Sequence, residues 1–323
     1  MKEKIAAFVK GVGDFDQLAL ELFAQQRAAN PVYARIAGDA RPRGPVEIPA
    51  VPVSLFKDLD LCPFPDAPIC FLTSGTTEGR RGAHRMRDTT LYDLGATRQM
   101  RGFPKRVVSL VSRDDASSLD HMVRLVGSPD YCMDEAGMHA DAWSRILSSP
   151  CFLASTAFAM DALLARQEGS ASEPEANAGR LTTGTLVMVT GGFKGRVHRL
   201  DSDTLYRSLG ARVPGAQVRG EYGMTELSSQ LWTAPVAAGE IPGAFRLPPW
   251  MRAWAVDPAS GAAIDGVGAL RFLDLANVDS VCAIETQDVG TVCGEWVTLT
   301  GRLAGAEARG CSLRAEQLLA RAQ

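Results

Sequence analysis

Short apolar runs alternate with helical patterns from residue 107 onward, and beyond residue 269 the helical patterns give way to strand after strand. Residues 107–111 and 186–189 read as strands, the second running into Gly191-Gly192, and residues 157–166 read as a helix between them. Residues 269–275, 281–286 and 296–300 are short strand candidates separated by turn residues. This order predicts an α/β body followed by a β-rich part. Ahead of it, Phe15, Leu18 and Leu22 fall at i, i+3 and i+7 of an amphipathic helix over residues 14–30. Asp14 with Gln17 has the pattern of a capping box, and Asn30-Pro31 ends the helix. Prolines 42, 45, 49, 52, 63, 65 and 68 make residues 40–68 an expected extended strap rather than a core element, and residues 168–179 an expected exposed loop follows the helix at 157–166.

The chain has 323 residues, enough for a substantial core, and its 46% apolar and 22% charged residues are those of an ordinary globular protein. A net charge of −3 gives no electrostatic reason to expect nucleic acid or an anionic membrane as partner. The cysteines (62, 70, 132, 151, 282, 293 and 311) are dispersed, odd in number and without a C-x-x-C pair, so neither a disulfide framework nor a zinc site is indicated. The apolar run behind Met1-Lys2-Glu3-Lys4 is too short for a signal peptide, and no uninterrupted apolar stretch is long enough to span a bilayer. A reduced, cytoplasmic location is the expectation.

The segment richest in chemistry is Thr73-Ser74-Gly75-Thr76-Thr77-Glu78-Gly79-Arg80-Arg81-Gly82. Glycines let backbone approach a ligand, and consecutive N–H groups in such a turn form an anion-binding nest. The hydroxyls add donors, and the arginines add charge-assisted bonds to phosphate oxygens. A triphosphate suits this set, although a flexible surface loop has similar composition. The G-x-x-x-x-G-K-[ST] pattern of kinases and GTPases is absent. A second cluster, Val218-Arg219-Gly220-Glu221-Tyr222-Gly223-Met224-Thr225-Glu226, offers an aromatic face, a hydroxyl and a hard oxygen ligand in a row. Alone it reads equally as a turn before a helix, with Thr225 as N-cap.

In this order the two segments resemble the phosphate loop and the Y-G-x-T-E motif of the adenylate-forming superfamily, which holds acyl-CoA synthetases, luciferases and adenylation domains. Two further segments resemble later motifs of that superfamily: Thr286-Gln287-Asp288-Val289-Gly290, with Gln287 where a glycine is usual, and Thr300-Gly301-Arg302-Leu303-Ala304-Gly305. The resemblance implies ATP and Mg²⁺ as cofactors. It places Thr73, Ser74, Gly75, Thr76, Thr77, Gly79 and Arg81 on the phosphates, and Glu221, Tyr222, Gly223 and Met224 around the nucleotide. Tyr222 would pack on adenine, Thr225 would meet the α-phosphate, Glu226 would hold Mg²⁺, and Asp288 with Arg302 would bind the ribose.

Within that superfamily the lead-in Ile48-Pro49-Ala50-Val51-Pro52-Val53-Ser54-Leu55-Phe56-Lys57, the loop end Gly82-Ala83-His84, the run Thr225-Glu226-Leu227-Ser228-Ser229-Gln230, Thr190-Gly191-Gly192-Phe193-Lys194-Gly195 and the final Gly305-Ala306-Glu307-Ala308-Arg309-Gly310-Cys311-Ser312-Leu313 resemble the LuxE-type acyl-protein synthetases. The implied fold is the large N-terminal domain of the superfamily, with mixed sheets flanked by helices plus a β-rich part, over residues 1–300. Residues 301–323 would be a short hinge-like tail in place of the mobile C-terminal domain and its lysine. Lys194 or Arg81 would partly replace that lysine, and His84 could touch phosphate or shape the acyl pocket, around residues 117–123 and 191–193, although a lone histidine reads more readily as a structural residue. Cys311 would accept the acyl group as a thioester before transfer to a LuxC-type reductase, its thiol made more acidic by Arg309. The other cysteines read as core filler. Two rival readings stand: ligation to CoA or a carrier protein with a separate C-terminal domain, and a non-catalytic acyl- or protein-binding relative.

Overall fold

The computed structural model describes residues 1–73, 81–168, 182–191 and 201–303. Strand β1 (Val51–Pro52) lies in the proline-rich segment, and β2 (Ile69–Leu72) and β3 (Ala83–Met86) form an antiparallel hairpin. The α/β body contributes β4 (Val107–Ser109), β5 (Pro129–Tyr131), a small hairpin of β6 (Met133–Asp134) and β7 (Gly137–Met138), β8 (Phe152–Thr156), β9 (Leu186–Thr190) and β10 (Gln217–Tyr222). Then come β11 (Leu231–Thr233), β12 (Val236–Ala237), β13 (Phe245–Arg246), β14 (Met251–Val256), β15 (Gly268–Asp274), β16 (Ala283–Cys293) and β17 (Trp296–Arg302).

One mixed sheet runs in the order β14-β15-β16-β17-β13-β11-β10-β9-β8-β4-β5, with β1 beside β16 and β12 beside β10. From β10 to β5 all neighbours are parallel; from β14 to β10 they are antiparallel. Every residue of β8 and β9 is buried, as parallel strands covered by helices on both faces must be. Alternation divides their side chains. Leu153, Val187 and Val189 meet Leu163, Leu205 and Leu209 on one face. Phe152, Ala154 and Met188 meet Met100, Phe103 and Met122 on the other. A third cluster joins Leu270 and Phe272 of β15 to Leu18, Leu22 and Phe23 of the helix Phe15–Ala29. Among the described residues, no helix is long and apolar enough to cross a membrane.

Several local expectations need correction. Asp14 does cap its helix through the Gln17 N–H at 2.8 Å, but the Gln17 amide turns to Glu21, so the reciprocal half of the box is not made. Asn30 ends that helix and then caps a second one, Pro31–Ala37, which carries no clear sequence pattern. The proline-rich segment is extended, with single 3₁₀ turns, yet it is not outside the core. Ile48, Val51, Phe56 and Leu61 are buried in the third cluster because β1 adds to the sheet beside β16. Cys62, Cys132, Cys151 and Cys282 are buried as expected, whereas Cys70 is half-buried and Cys293 is exposed where β16 reaches its turn. Nearly all of the expected loop at 168–179 lies outside the described residues.

Candidate functional site

Strands β8, β9 and β10 run parallel and end side by side at Thr156, Thr190 and Tyr222. That carboxyl edge is where open α/β sheets place ligands. The Thr190 hydroxyl donates to the Glu221 carboxylate across the β9–β10 pair. A Cβ on Gly223 would sit 2.6 Å from Glu221 Oε1, so any other residue there would displace that carboxylate. After Gly223 the chain does not enter a helix. Leu227 N–H closes a turn on the Met224 carbonyl, and residues 223–230 lead irregularly into β11, which removes the helix N-cap reading of Thr225.

Tyr222, Asp288 and Arg302 come from three sequence segments and meet. Asp288 and Arg302 are opposite one another in the β16–β17 register, with Arg302 Nε 3.2 Å from Asp288 Oδ1. Tyr222 Oη donates to Asp288 Oδ2 at 2.9 Å. The tyrosine ring is 1% exposed, packed against Phe245 and Phe272 at centroid distances of 5.8 and 5.6 Å. This corrects the picture of an open aromatic face: in this conformation Tyr222 spends its faces on phenylalanines, and stacking on adenine requires the ring to be uncovered. Asp288 uses the acceptor-only chemistry expected of it, here toward a phenol and a guanidinium.

The root of the glycine-rich segment is closed by its own residues. Thr73 N–H donates to the Gly82 carbonyl at 2.8 Å, and Gly82 N–H donates to Thr73 Oγ1 at 2.7 Å. Arg81 Nε bonds the Thr73 carbonyl and Nη2 the Leu72 carbonyl, so this guanidinium holds the loop's base rather than reaching outward. One strand further, buried His84 meets Phe56 edge-on and places Nδ1 2.8 Å from the Thr225 carbonyl. A carbonyl only accepts, so Nδ1 carries the proton. Burial pushes the His84 pKa down to about 4, against the raising effect of that bond, and the ring is neutral at pH 7.

The Thr225–Gln230 turn is held from behind. Asn277 Nδ2 donates to the Glu226 carbonyl at 2.9 Å. Asp274 accepts from Ser228 N–H at 3.0 Å and from Ser229 Oγ at 2.9 Å, and Trp250 Nε1 donates to that same hydroxyl. Burial raises the Asp274 pKa to about 6, opposed by the bonds it accepts. The sequence reading missed Asp274, Asn277 and Thr190's contact with Glu221. Asp274 ends a predicted strand, and no spacing distinguishes it from an ordinary turn aspartate.

Thr73, Arg81, His84, Glu221, Tyr222, Gly223, Met224, Thr225, Glu226, Asp288 and Arg302 are thus brought together by direct bonds or by adjacency in the chain. Ser74, Gly75, Thr76, Thr77, Gly79, Lys194 and Cys311 lie outside the described residues. Among the described residues, no group of three or more His, Cys, Asp or Glu side chains is arranged to hold a metal ion. Glu226, the residue expected to meet Mg²⁺, is buried in the turn that leads to β11, and a carboxylate there is the hard-oxygen donor type that Mg²⁺ takes.

No family model matches the chain, and no curated protein matches it. Solved structures do. ATP-bound MatB from Rhodopseudomonas palustris is similar at 20% identity and a TM-score of 0.50, over 72% of this chain and 47% of that one. McyG A-PCP complexed with phenylalanyl-adenylate is similar at 16% identity and a TM-score of 0.51, over 76% and 42%. The chain shares the fold of the matched parts of these structures, a large mixed sheet flanked by helices as the sequence led one to expect. The chain matches less than half the length of either neighbour.

Proposed function

We propose that this protein activates a carboxylic acid with ATP, giving an acyl-adenylate and pyrophosphate. The observation that carries this reading is the meeting of residues 81–84, 190, 221–226, 288 and 302 at the carboxyl edge of the parallel strands. A substrate carboxylate oxygen attacks the α-phosphorus, the bond from that phosphorus to the bridging oxygen breaks, and pyrophosphate leaves. The Thr225 hydroxyl donates to an α-phosphate oxygen as charge develops there. Glu226 would hold a Mg²⁺ ion, which when bound would neutralise phosphate charge. Asp288 and Arg302 hold the nucleoside, and the Thr73–Gly82 closure fixes the two ends of the loop that would take the β- and γ-phosphates.

The finer form of the proposal is a LuxE-type acyl-protein synthetase. The acid is a fatty acid, the Cys311 thiolate attacks the adenylate carbonyl and expels AMP, and a LuxC-type reductase takes the acyl group from the thioester. Lys194 supplies cationic charge near the phosphates in that scheme. The cytoplasm is the compartment that suits a free nucleophilic thiol. A second reading draws on the neighbours, whose chains extend well beyond the matched part. In it, the adenylate is passed to CoA or a carrier protein with a separate C-terminal-domain partner.

Carboxylate-dependent exchange of labelled pyrophosphate into ATP, run over a panel of acids, tests the activation step. Exchange with at least one acid is expected, and none with any acid sinks the reading. Following the label separates the two acceptors. A hydroxylamine-labile acyl group on the protein, lost in Cys311→Ser, supports the thioester; an acyl-CoA product in place of it supports the second reading.

A further inference from the structure

We propose that Asp279 is a positioning residue for the Thr225–Glu226 peptide, and that Lys2 in the first helix acts on the site through it; this rests on the activation reaction proposed above. Two separate ties hold that peptide. The Thr225 carbonyl accepts from His84 on β3, and the Glu226 carbonyl accepts from Asn277 in the turn between β15 and β16. Asp279 joins the two ties. Its Oδ1 accepts from Arg87 Nη2 at 2.6 Å and Nε at 3.0 Å, and its Oδ2 accepts from the Arg87 backbone N–H at 2.9 Å. Arg87 directly follows β3, and Asp279 lies two residues beyond Asn277. Three bonded pairs, His84 with Thr225, Arg87 with Asp279 and Asn277 with Glu226, together with the short chain segments between them close a ring.

Lys2 completes the arrangement from the helix Lys2–Val9, its Nζ 2.9 Å from Asp279 Oδ2 and 2.8 Å from Asp88 Oδ2. The Asp279 side chain is 2% exposed, so its charge is held by its donors rather than by water. Burial pushes this carboxyl up, but the bonds from Arg87 and Lys2 outweigh it and hold the pKa below the usual range. A small cavity lined by Lys2, His84, Ser228 and Asp279 lies between the helix and the turn. The cavity meets the turn at Ser228, two residues beyond Glu226. Thr225 and Glu226 act on developing charge, and a displacement near 1 Å of such groups slows chemistry by about 10²-fold.

The test uses the full chain. Pyrophosphate-exchange kcat and the KM values for ATP and acid are measured for wild type, Asp279→Asn and Lys2→Met, with circular dichroism and thermal melts alongside. A folded Asp279→Asn is expected to lose kcat by about 10²-fold with both KM values within about threefold, and Lys2→Met to lose about 3- to 10-fold in kcat. Unchanged kcat in folded Asp279→Asn, or an effect confined to Tm or to KM, overturns the proposal. Should Asp279→Asn fail to fold, Lys2→Met decides, and unchanged kcat there overturns it. Absence of exchange in the wild type with every acid sinks the activation reading itself, and the role of Asp279 with it.

Discussion

Tyr222 donates its phenolic hydrogen to Asp288 at 2.9 Å, although 66 residues separate the two in sequence, and Arg302 faces the other oxygen of the same carboxylate. The bond links the end of the parallel strands to the antiparallel half of the sheet. Tyr222→Phe is expected to cost about 1–2 kcal/mol in urea denaturation. Asp288→Asn, which takes the facing carboxylate from a mostly buried arginine, is expected to cost about 3 kcal/mol. The double variant should show a coupling of about 1 kcal/mol, and strict additivity would mean that the two do not act together.

Thr225 and Glu226 are assigned to the chemical step. Thr225→Val keeps the shape and removes the hydroxyl, and exchange kcat is expected to fall about 10- to 10²-fold. Glu226→Gln should fall further, and its titration with Mg²⁺ should need higher concentrations. Wild-type rates in both variants would remove these residues from the mechanism.

His84 has its pKa lowered from 6.5 to about 4 by burial. A lowered value in the folded state means that its stabilising contribution is present above about pH 6.5 and is lost as pH falls toward 4. His84→Phe keeps a buried ring but strips the Thr225 carbonyl of its donor. It is expected to cost about 1–3 kcal/mol at pH 7 and to flatten this part of the stability–pH curve. Imidazole NMR shifts that titrate near 6.5 in the native protein would contradict the burial argument.

Asp274 works in the opposite sense. Its pKa is raised from 3.8 to about 6, so its contribution is present below about pH 4 and is lost as pH rises through 6. Asp274→Asn removes that dependence. The stability of wild type relative to the variant should therefore decline by an amount on the order of 1–3 kcal/mol between pH 4 and 7. A flat difference curve from urea melts would count against it.

Gly95 lies in the helix Thr90–Gln99, where a Cβ would stand 3.1 Å from the Trp250 indole. Alanine is the better helix former by about 1 kcal/mol. Gly95→Ala should nonetheless lose about 1–2 kcal/mol as the indole is pushed from its place over Ser229. A stabilised variant with unchanged tryptophan fluorescence would show that the indole yields freely.

Periodicity made two of the parallel strands and the helix Phe15–Ala29 legible, because these rest on local patterns: short apolar runs at β4 and β9, and the spacing of Phe15, Leu18 and Leu22; β8, whose run ends in Ser155 and Thr156, was not foreseen. The same reasoning failed on residues 48–61, since proline density argues against regular structure but says nothing about whether Ile48 or Phe56 finds a buried niche. At the site, motif order located Tyr222, Asp288 and Arg302 without showing that they bind one another. Their meeting is a matter of strand register. Asp279 was invisible for a similar reason: its donors, Lys2 and Arg87, lie 277 and 192 residues away.

The parallel pairing of β1 with β16, Val51 opposite Ile284, gives the chain a demanding assembly order. Residues that leave the ribosome early cannot hide Ile48 and Val51 until more than two hundred later residues exist. Throughout synthesis that apolar strap and an unpaired strand edge stay open to other chains. Production of the protein should therefore be limited by chaperone supply and temperature more than by its final stability, and a shortened version ending before β16 should aggregate rather than fold.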